Sequence, residues 1–297
     1  GDLFLSKGSM IIYKGDQIIE DFEDILFKKA KNFNIKLSSI YSGISISGPD
    51  LGSDSVKLIK NKKIAILSGD DNQNSVSSLN YGAIWHFFEQ ELRYPLTHLN
   101  IKDFKRVSLD KFDVLIIPDG YYGSIGNERN LDKIESWMYK GGNIIAFEDA
   151  IKIFSNKEGF SVKTKKIKEV EKEEVNFEDI SRNNIQNYLA GAIFKVKIDE
   201  THPLAFGYDK EYYSLKTSTS TYELLDNGYN VGKIENLKDN IIGFVGNKIK
   251  TKLKNSLVFG HEKIGRGNIV YLVDNVMFRS FWENGKMFLV NSVFYIN

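Results

Sequence analysis

The sequence predicts an α/β fold in which helices cover both faces of a parallel sheet and a β-rich C-terminal half completes the domain. Three apolar runs, at residues 63–68, 112–118 and 143–147, have the nearly continuous hydrophobicity of strands that are buried on both faces. Between these runs, apolar residues recur at the spacing of amphipathic helices. Strands that alternate with helices in this way predict a parallel sheet.

Residues 1–60 predict a separate, small β-α-β segment. Residues 9–13 and 35–41 are apolar runs of strand length. Between them, the apolar residues from Ile18 to Ala30 recur at helical spacing. The segment ends in a loop at residues 47–53, where glycine and proline mark irregular backbone.

Residues 61–297 predict one larger domain. Strands are expected at residues 63–68, 96–99, 112–118, 143–147, 193–198, 222–225, 241–245, 257–259 and 269–273. Helices are expected near residues 81–92, 131–138 and 286–295. Gly141 and Gly142 end the second of these helices, as glycine commonly does at a helix C-terminus.

A charged stretch at about residues 155–187 interrupts this pattern. Lysine and glutamate dominate it and its apolar periodicity is weak, so we expect an exposed, partly helical insertion. Because glutamates interleave with the lysines, the stretch does not indicate a nucleic-acid site.

Composition excludes several classes of function. The formal net charge of the 297 residues is +1, which gives no bias toward nucleic acid. The chain has no cysteine, so disulfides, thiolate metal sites and cysteine nucleophiles are excluded. No apolar run reaches the roughly 20 residues of a membrane helix, and no motif indicates a cofactor, so we expect neither membrane insertion nor a cofactor.

Carboxylates follow several of the predicted strands. They are Asp70, Asp71, Asp119, Glu148, Asp149 and Asp274. Ligands of open α/β sheets bind at the carboxyl ends of the strands, so this rim is a candidate ligand site. We expect Tyr121 and Tyr122 to flank it and Arg279 to pair with one of its acids. The alternative is that the acids cap helix N-termini.

A second candidate site has the His-x-x-Glu spacing of a zinc site. His86 and Glu89 would share a helix face, and His202 is a candidate third ligand. The alternative is that His86, which lies between Trp85 and Phe87, is a histidine at the edge of the core. Such short motifs often match by chance.

Several segments in order resemble one known family. They are residues 48–53, 63–69, 85–92, 113–120, 202–208 and 273–282. Together they look like the C-terminal region of large secreted bacterial zinc carboxypeptidases of the carboxypeptidase A type, a region similar to a class I glutamine amidotransferase domain. The resemblance implies a flavodoxin-like parallel sheet, an extracellular or periplasmic location, and a peptidase domain of the same polypeptide as partner. The family's zinc ligands lie in that other domain, so no catalytic residue is carried over.

The residue at the position of the amidotransferase nucleophile indicates whether a domain of this type can be an enzyme. In such domains a strand leads into a sharp elbow that presents a thiol, but here the elbow reads Phe147-Glu148-Asp149-Ala150, with no evident histidine partner. We therefore expect a non-catalytic accessory region that supports the peptidase domain or binds a ligand or partner. The alternatives are a metal-dependent hydrolase or peptidase that uses His86 and Glu89, and a carbohydrate- or small-molecule-binding module.

Overall fold

A computed structural model describes residues 3–166, 176–236, 238 and 240–296. The chain divides into two compact units, Gly1–Lys60 and Asn61–Asn297. None of the helices in the described ranges is long and apolar enough to span a membrane.

The first unit contains one α-helix, α1 (Phe22–Asn32), and a 3-10 turn at Lys14–Asp16. The helix matches the predicted spacing, but the two predicted strands at residues 9–13 and 35–41 are wrong, because their described backbone is irregular. A strand needs a neighbour that satisfies its backbone N–H and C=O groups, and neither run has one in the structure. Ala30 is the one residue that is buried among those described in this unit.

The second unit is built on a ten-stranded mixed sheet. Its parallel half consists of β1 (Ile64–Ser68), β4 (Leu96–Asn100), β5 (Val114–Ile117), β7 (Asn143–Phe147) and β13 (Gly267–Leu272). These strands lie in the order β4-β1-β5-β7-β13, and every neighbouring pair is parallel. If these five strands are counted along the chain, their order in the sheet is thus second, first, third, fourth, fifth, which is the flavodoxin-like arrangement. The predicted fold class is confirmed.

Two hydrophobic cores lie on opposite faces of this half, because successive side chains of a strand point to opposite faces. In β1, Ile64 and Ile66 belong to one core while Ala65 and Leu67 belong to the other. The first core includes residues of helices α2 (Ser78–Trp85) and α6 (Glu283–Phe294), and the second includes residues of α3 (Glu128–Tyr139). Helices therefore cover both faces, as predicted.

The antiparallel half continues the same sheet. It consists of β8 (Leu189–Ile198), β9 (Glu211–Lys216), β10 (Tyr229–Ile234), β11 (Asn240–Val245) and β12 (Ser256–Ile264). Strand β12 pairs antiparallel with β13, and from there the order runs β12-β10-β8-β11, with β9 paired to β8. The predicted strand at residues 222–225 is wrong, since Tyr222 makes only isolated bridges with Thr164 and Leu257. Strands β9 and β10 were not predicted.

A small three-stranded sheet follows the ends of β1 and β5. It consists of β2 (Asp70–Asp71), β3 (Asn74–Val76) and β6 (Gly120–Tyr122), all antiparallel. Two further helices, α4 (Ile180–Gln186) and α5 (Asn247–Leu253), belong to the C-terminal half.

The predicted exposed insertion at residues 155–187 is wrong in its first part. Phe160 and Val162 are buried in the core, and the backbone N–H of Ser161 donates to the buried Glu262 carboxylate at 2.9 Å. Residues 167–175 lie outside the described residues. From residue 176 the stretch is mostly exposed and contains α4, in agreement with a partly helical segment.

One close approach between backbones fixes the start of β13. A Cβ atom on Gly267 would lie 2.1 Å from the carbonyl oxygen of Gly142 and 2.5 Å from that of Met138. We expect Gly267→Ala to lower the free energy of unfolding by about 1–3 kcal/mol, because neither backbone oxygen can move freely. Gly82→Ala is the matched control: its Cβ meets nothing within 4 Å, and alanine should stabilise α2 by about 0.5–1 kcal/mol. Denaturant unfolding measures both, and equal effects of the two substitutions would contradict this packing.

Candidate ligand site at the carboxyl edge of the sheet

Three of the predicted rim acids come together at one edge of the sheet. Asp119, Glu148 and Asp274 follow the neighbouring strands β5, β7 and β13. The backbone N–H of Asp149 donates to Asp119 Oδ1 at 3.1 Å, which ties the end of β7 to the end of β5. The charges of Asp119 and Asp274 both act on the Glu148 carboxyl.

Asn80, on helix α2, connects the same strand ends from one side. Its Oδ1 accepts the backbone N–H of Asp119 at 2.9 Å, and its Nδ2 donates to Asn275 Oδ1 at 3.2 Å. Asn80 is buried, so this amide is a fixed part of the rim. Sequence reasoning did not find it, because an asparagine in a helix gives no signal of such a contact.

The basic partner of the rim is Lys216 on β9. Its Nζ lies 2.9 Å from Asp274 Oδ1, and both side chains are only 2% exposed. Ser214, two residues earlier on the same strand, donates its hydroxyl to Asp274 Oδ2 at 2.7 Å. The ion pair is therefore completed by a hydrogen bond to the second carboxylate oxygen, as buried ion pairs require.

The prediction that Arg279 pairs with a rim acid is wrong. Arg279 is exposed, and its guanidinium lies over the ring of Phe278, 5.4 Å from the ring centre. Its backbone is left-handed, with φ of 50°, within a short 3-10 turn. Arg279 is close to Asp274 in sequence, but the acid pairs with Lys216, which lies on β9 in the antiparallel half of the sheet.

Glu148 occupies the elbow after β7 in a strained conformation. Its φ is 44°, a left-handed value that non-glycine residues seldom adopt, and a 3-10 helix (Glu148–Ile153) starts there. The residue is only 9% exposed, and its side chain makes no hydrogen bond or ion pair with any residue that the structure describes. Burial, reinforced by Asp119 and Asp274, raises the pKa of Glu148 to about 8, although Lys216 acts in the opposite direction.

Asp149 completes the acidic cluster. Its carboxylate accepts the hydroxyl of Ser220 at 2.9 Å and pairs with Lys152 at 2.8 Å. Burial raises the pKa of Asp119, and the backbone N–H of Asp149 partly offsets this effect. Near Asp149, the buried hydroxyl of Tyr222 has no hydrogen-bond partner among the described residues.

The other predicted rim residues have different roles. Tyr121 is 69% exposed, but Tyr122 is buried and donates its hydroxyl to the carbonyl of Pro118 at 2.8 Å, so Tyr122 does not flank an open site. Asp70 is exposed and lines a shallow pocket together with Tyr81. Asp71 accepts the backbone N–H groups of Gln73 and Asn74 in the turn between β2 and β3, so it caps a β-turn and not a helix N-terminus.

The candidate zinc ligands do not share a site. The helix changes from α to π at His86–Glu91, where the backbone bonds to the fifth residue rather than the fourth. His86 Nδ1 therefore meets Glu91 at 3.2 Å, five residues on, and not Glu89. His202 is buried and pairs with His261 at 3.0 Å. Within the described ranges, no three residues of the His, Cys, Asp or Glu types are grouped to hold a metal ion.

Glu89 instead orients a histidine that was not predicted. His98 Nε2 donates to Glu89 Oε1 at 3.2 Å, and Tyr81 donates its hydroxyl to His98 Nδ1 at 2.7 Å. Burial, together with the charge of Glu89, raises the pKa of Tyr81, so its phenol keeps its proton. This chain of contacts orients Tyr81 at the wall of the shallow pocket that Asp70 also lines.

No family model matches the chain, and no curated protein matches it significantly. Solved structures similar to it include a ThuA-like protein from Bacteroides uniformis, with 13% identity, 77% of this chain and 89% of the other covered, and a TM-score of 0.48. A glutamine amidotransferase from Thermotoga maritima is 9% identical over 73% of this chain and 77% of its own, with a TM-score of 0.43. A protein described as one component of a GMP synthase from Thermoplasma acidophilum is 13% identical, with 79% and 94% covered and a TM-score of 0.43. These similarities concern the fold alone.

The buried ion pair gives a stability prediction. We expect Lys216→Met to lower the free energy of unfolding by about 3–5 kcal/mol, because it leaves the buried Asp274 charge without a cation. Lys140→Met removes an exposed partner of Asp110 and should cost less than about 1 kcal/mol. Denaturant unfolding at neutral pH compares them, and similar losses would show that Lys216 is not a structural counter-ion.

The raised pKa of Glu148 predicts a specific pH dependence. Between the ordinary value of 4.5 and about 8, the folded protein holds a proton on Glu148 that the unfolded chain releases. The stability of the wild type should therefore fall as pH rises through this range, by up to about 4 kcal/mol from this group alone. Glu148→Gln cannot ionise, so its stability relative to the wild type should increase across the same range and stay constant above it.

The measurement is unfolding by denaturant at a series of pH values for the wild type, Glu148→Gln and, as control, Glu158→Gln, which changes an exposed glutamate. A difference between wild type and Glu148→Gln that does not change with pH would show that the carboxyl titrates normally.

Proposed function

We propose that this chain is a non-catalytic, class I glutamine amidotransferase-like region that acts as an accessory part of a zinc carboxypeptidase. The observation on which this proposal rests is the elbow after β7. Strand, left-handed residue and helix follow one another there as in a nucleophile elbow, but the residue is Glu148.

Glu148 is not suited to act as the nucleophile of acyl transfer. With a pKa of about 8 its carboxyl is mostly protonated at neutral pH, and a protonated acid is not a nucleophile. It has no hydrogen-bonded histidine among the described residues, so the base of a catalytic pair is missing there. The hydrolase alternative with His86 and Glu89 has no support either, because the two residues have separate partners.

The proposed accessory role comes from the sequence resemblance to secreted carboxypeptidases. Under this proposal the peptidase domain of the same polypeptide is the partner, and the protein is extracellular or periplasmic. Two large exposed aromatic side chains, Tyr121 at 69% and Phe281 at 60%, are candidates for the contact.

Activity assays test the non-catalytic part of the proposal. The purified chain should hydrolyse neither glutamine nor the C-terminal residue of a peptide, and Glu148→Gln should not differ from the wild type. Turnover of either substrate that Glu148→Gln abolishes would overturn it.

The parent gene tests the accessory part. Its reading frame should encode a zinc carboxypeptidase domain on the N-terminal side of this chain. In the full protein, Tyr121→Ser combined with Phe281→Ser should lower the melting temperature of the peptidase domain, while the exposed control Tyr139→Ser should not. A reading frame without a peptidase domain would contradict the proposal.

A further inference from the structure

We propose that the buried pair His202–His261 is an acid-sensitive switch. While both imidazoles are neutral, they hold the loop between β8 and β9, residues 199–210, against the sheet, and protonation of His202 releases this loop. The pair is connected to the amino ends of the parallel strands, away from the acidic rim, so the inference depends neither on Glu148 nor on the connection to a peptidase.

The first argument is that hydrogen bonds fix the position of each imidazole proton. The backbone N–H of Leu204 donates to His202 Nδ1 at 3.1 Å, so the neutral ring carries its proton on Nε2. That N–H donates to His261 Nδ1 at 3.0 Å, which leaves the proton of His261 on its own Nε2. The Nε2–H of His261 donates in turn to Asn268 Oδ1 at 2.9 Å. All four ring nitrogens are therefore engaged.

The same series of hydrogen bonds continues into the parallel half of the sheet. Asn268 on β13 donates its amide to Asn143 Oδ1 on β7 at 2.8 Å, and Asn143 Nδ2 donates to the carbonyl of Asp113 at 3.4 Å. Every group in the series thus donates in one direction, from Leu204 toward Asp113. Because both asparagines are buried, the direction cannot reverse at one position without leaving an unsatisfied buried polar group.

The second argument is that the pair has no free lone pair for an additional proton. A proton on His202 Nδ1 would face the N–H of Leu204, and a proton on His261 Nδ1 would face the N–H of His202. The two histidines are only 7% and 8% exposed. Burial lowers the pKa of both, and burial together with the charge of His261 lowers the pKa of His202 to about 4. Uptake of one proton must therefore break one of the two hydrogen bonds.

The third argument is that the surrounding charges favour an outward position for the charged form. Lys263 on β12 disfavours a charge on His261, whereas Asp199 favours a charge on His202. Asp199 is exposed and precedes His202 by three residues, so a His202 side chain that turns outward meets a carboxylate at the surface. The ring of Tyr229 on β10 stacks on His261, with 5.3 Å between ring centres, and is 56% exposed. The pair therefore lies close beneath the surface.

The turn after His202 is held by this titratable contact and by uncharged ones. The imidazole caps the 3-10 turn Pro203–Ala205 by accepting the N–H of Leu204. The amide of Asn291 on α6 donates to the carbonyls of Leu204 and Phe206 at 3.0 and 2.8 Å. Of these contacts, only the one to the histidine changes its protonation between about pH 4 and 7, which confines the effect of acid to this part of the chain.

Hydrogen exchange of the Leu204 amide measures the release. The pKa of His202 in the folded protein lies below the ordinary value of 6.5, so the contact is complete above this pH and is lost as pH falls toward about 4. Because release takes up one proton, the protection factor of this amide, corrected for intrinsic exchange, should fall about tenfold per pH unit between about pH 6 and 4.5. The amide of Ile145 in the middle of β7 should remain more strongly protected at every pH.

His202→Gln and His86→Gln form the matched comparison. The glutamine at position 202 cannot be protonated, so the Leu204 protection factor should change by less than about twofold over the same range. His86 is an exposed histidine outside the pair, and its variant should reproduce the wild-type profile. Glu148 is present in both variants, so its own pH dependence cancels.

If His202→Gln does not fold, Asp199→Asn and nitrogen NMR of the wild type decide the test. Asp199→Asn keeps an oxygen for the Thr201 N–H but removes the charge, so it should displace the profile to lower pH by about half a unit. At pH 7 the NMR spectrum should show an unprotonated Nδ1 in both buried histidines.

Four results would overturn the proposal. They are a proton on His202 Nδ1 at pH 7, equal protection of Leu204 and Ile145 at each pH, a wild-type pH profile in His202→Gln, and an unchanged profile in Asp199→Asn. None of these measurements depends on the assays of glutamine and peptide hydrolysis, so the two proposals fail separately.

Discussion

The ion pair between Lys216 and Asp274 connects the two halves of the sheet. Lys216 belongs to the antiparallel half and Asp274 follows the last parallel strand, and both side chains are almost fully buried. Each charge is tolerated only because the other is present. The pair also affects the charges at the rim. Because Lys216 is bound to Asp274, it forms no ion pair with Glu148 or Asp119, and the charge of Asp119 acts on the Glu148 carboxyl.

The parallel half was predictable because its strands are apolar on both faces and therefore appear as continuous runs. Strand β9 was missed because its buried and exposed residues alternate. Tyr212, Ser214 and Lys216 are all buried, while Glu211 and Tyr213 are exposed. A period of two in residues 211–216 was the available signal, and it would have placed Lys216 on the inner face. The closeness of Arg279 to Asp274 in sequence was a weaker reason for choosing the basic partner of this acid.

The acidic rim was predictable from topology, because the ends of adjacent parallel strands must meet. The partners of the acids were not, since Lys216 lies 58 residues from Asp274 and Asn80 lies 195 residues from Asn275. The zinc motif failed for a local reason: one π-helical turn rotates Glu89 away from His86. Neither a spacing rule based on the α-helix nor composition signals such a turn.

The position of β13 has a consequence for how the chain acquires its structure. This strand lies between β7 and β12, yet the buried amides that join it to β7, Asn268 and Asn143, are 125 residues apart in sequence. During synthesis, β7 therefore exposes an unpaired apolar edge until the chain beyond residue 267 has left the ribosome. Contacts of such long range make folding slow, so this edge must avoid aggregation while the residues between β7 and β13 are synthesised.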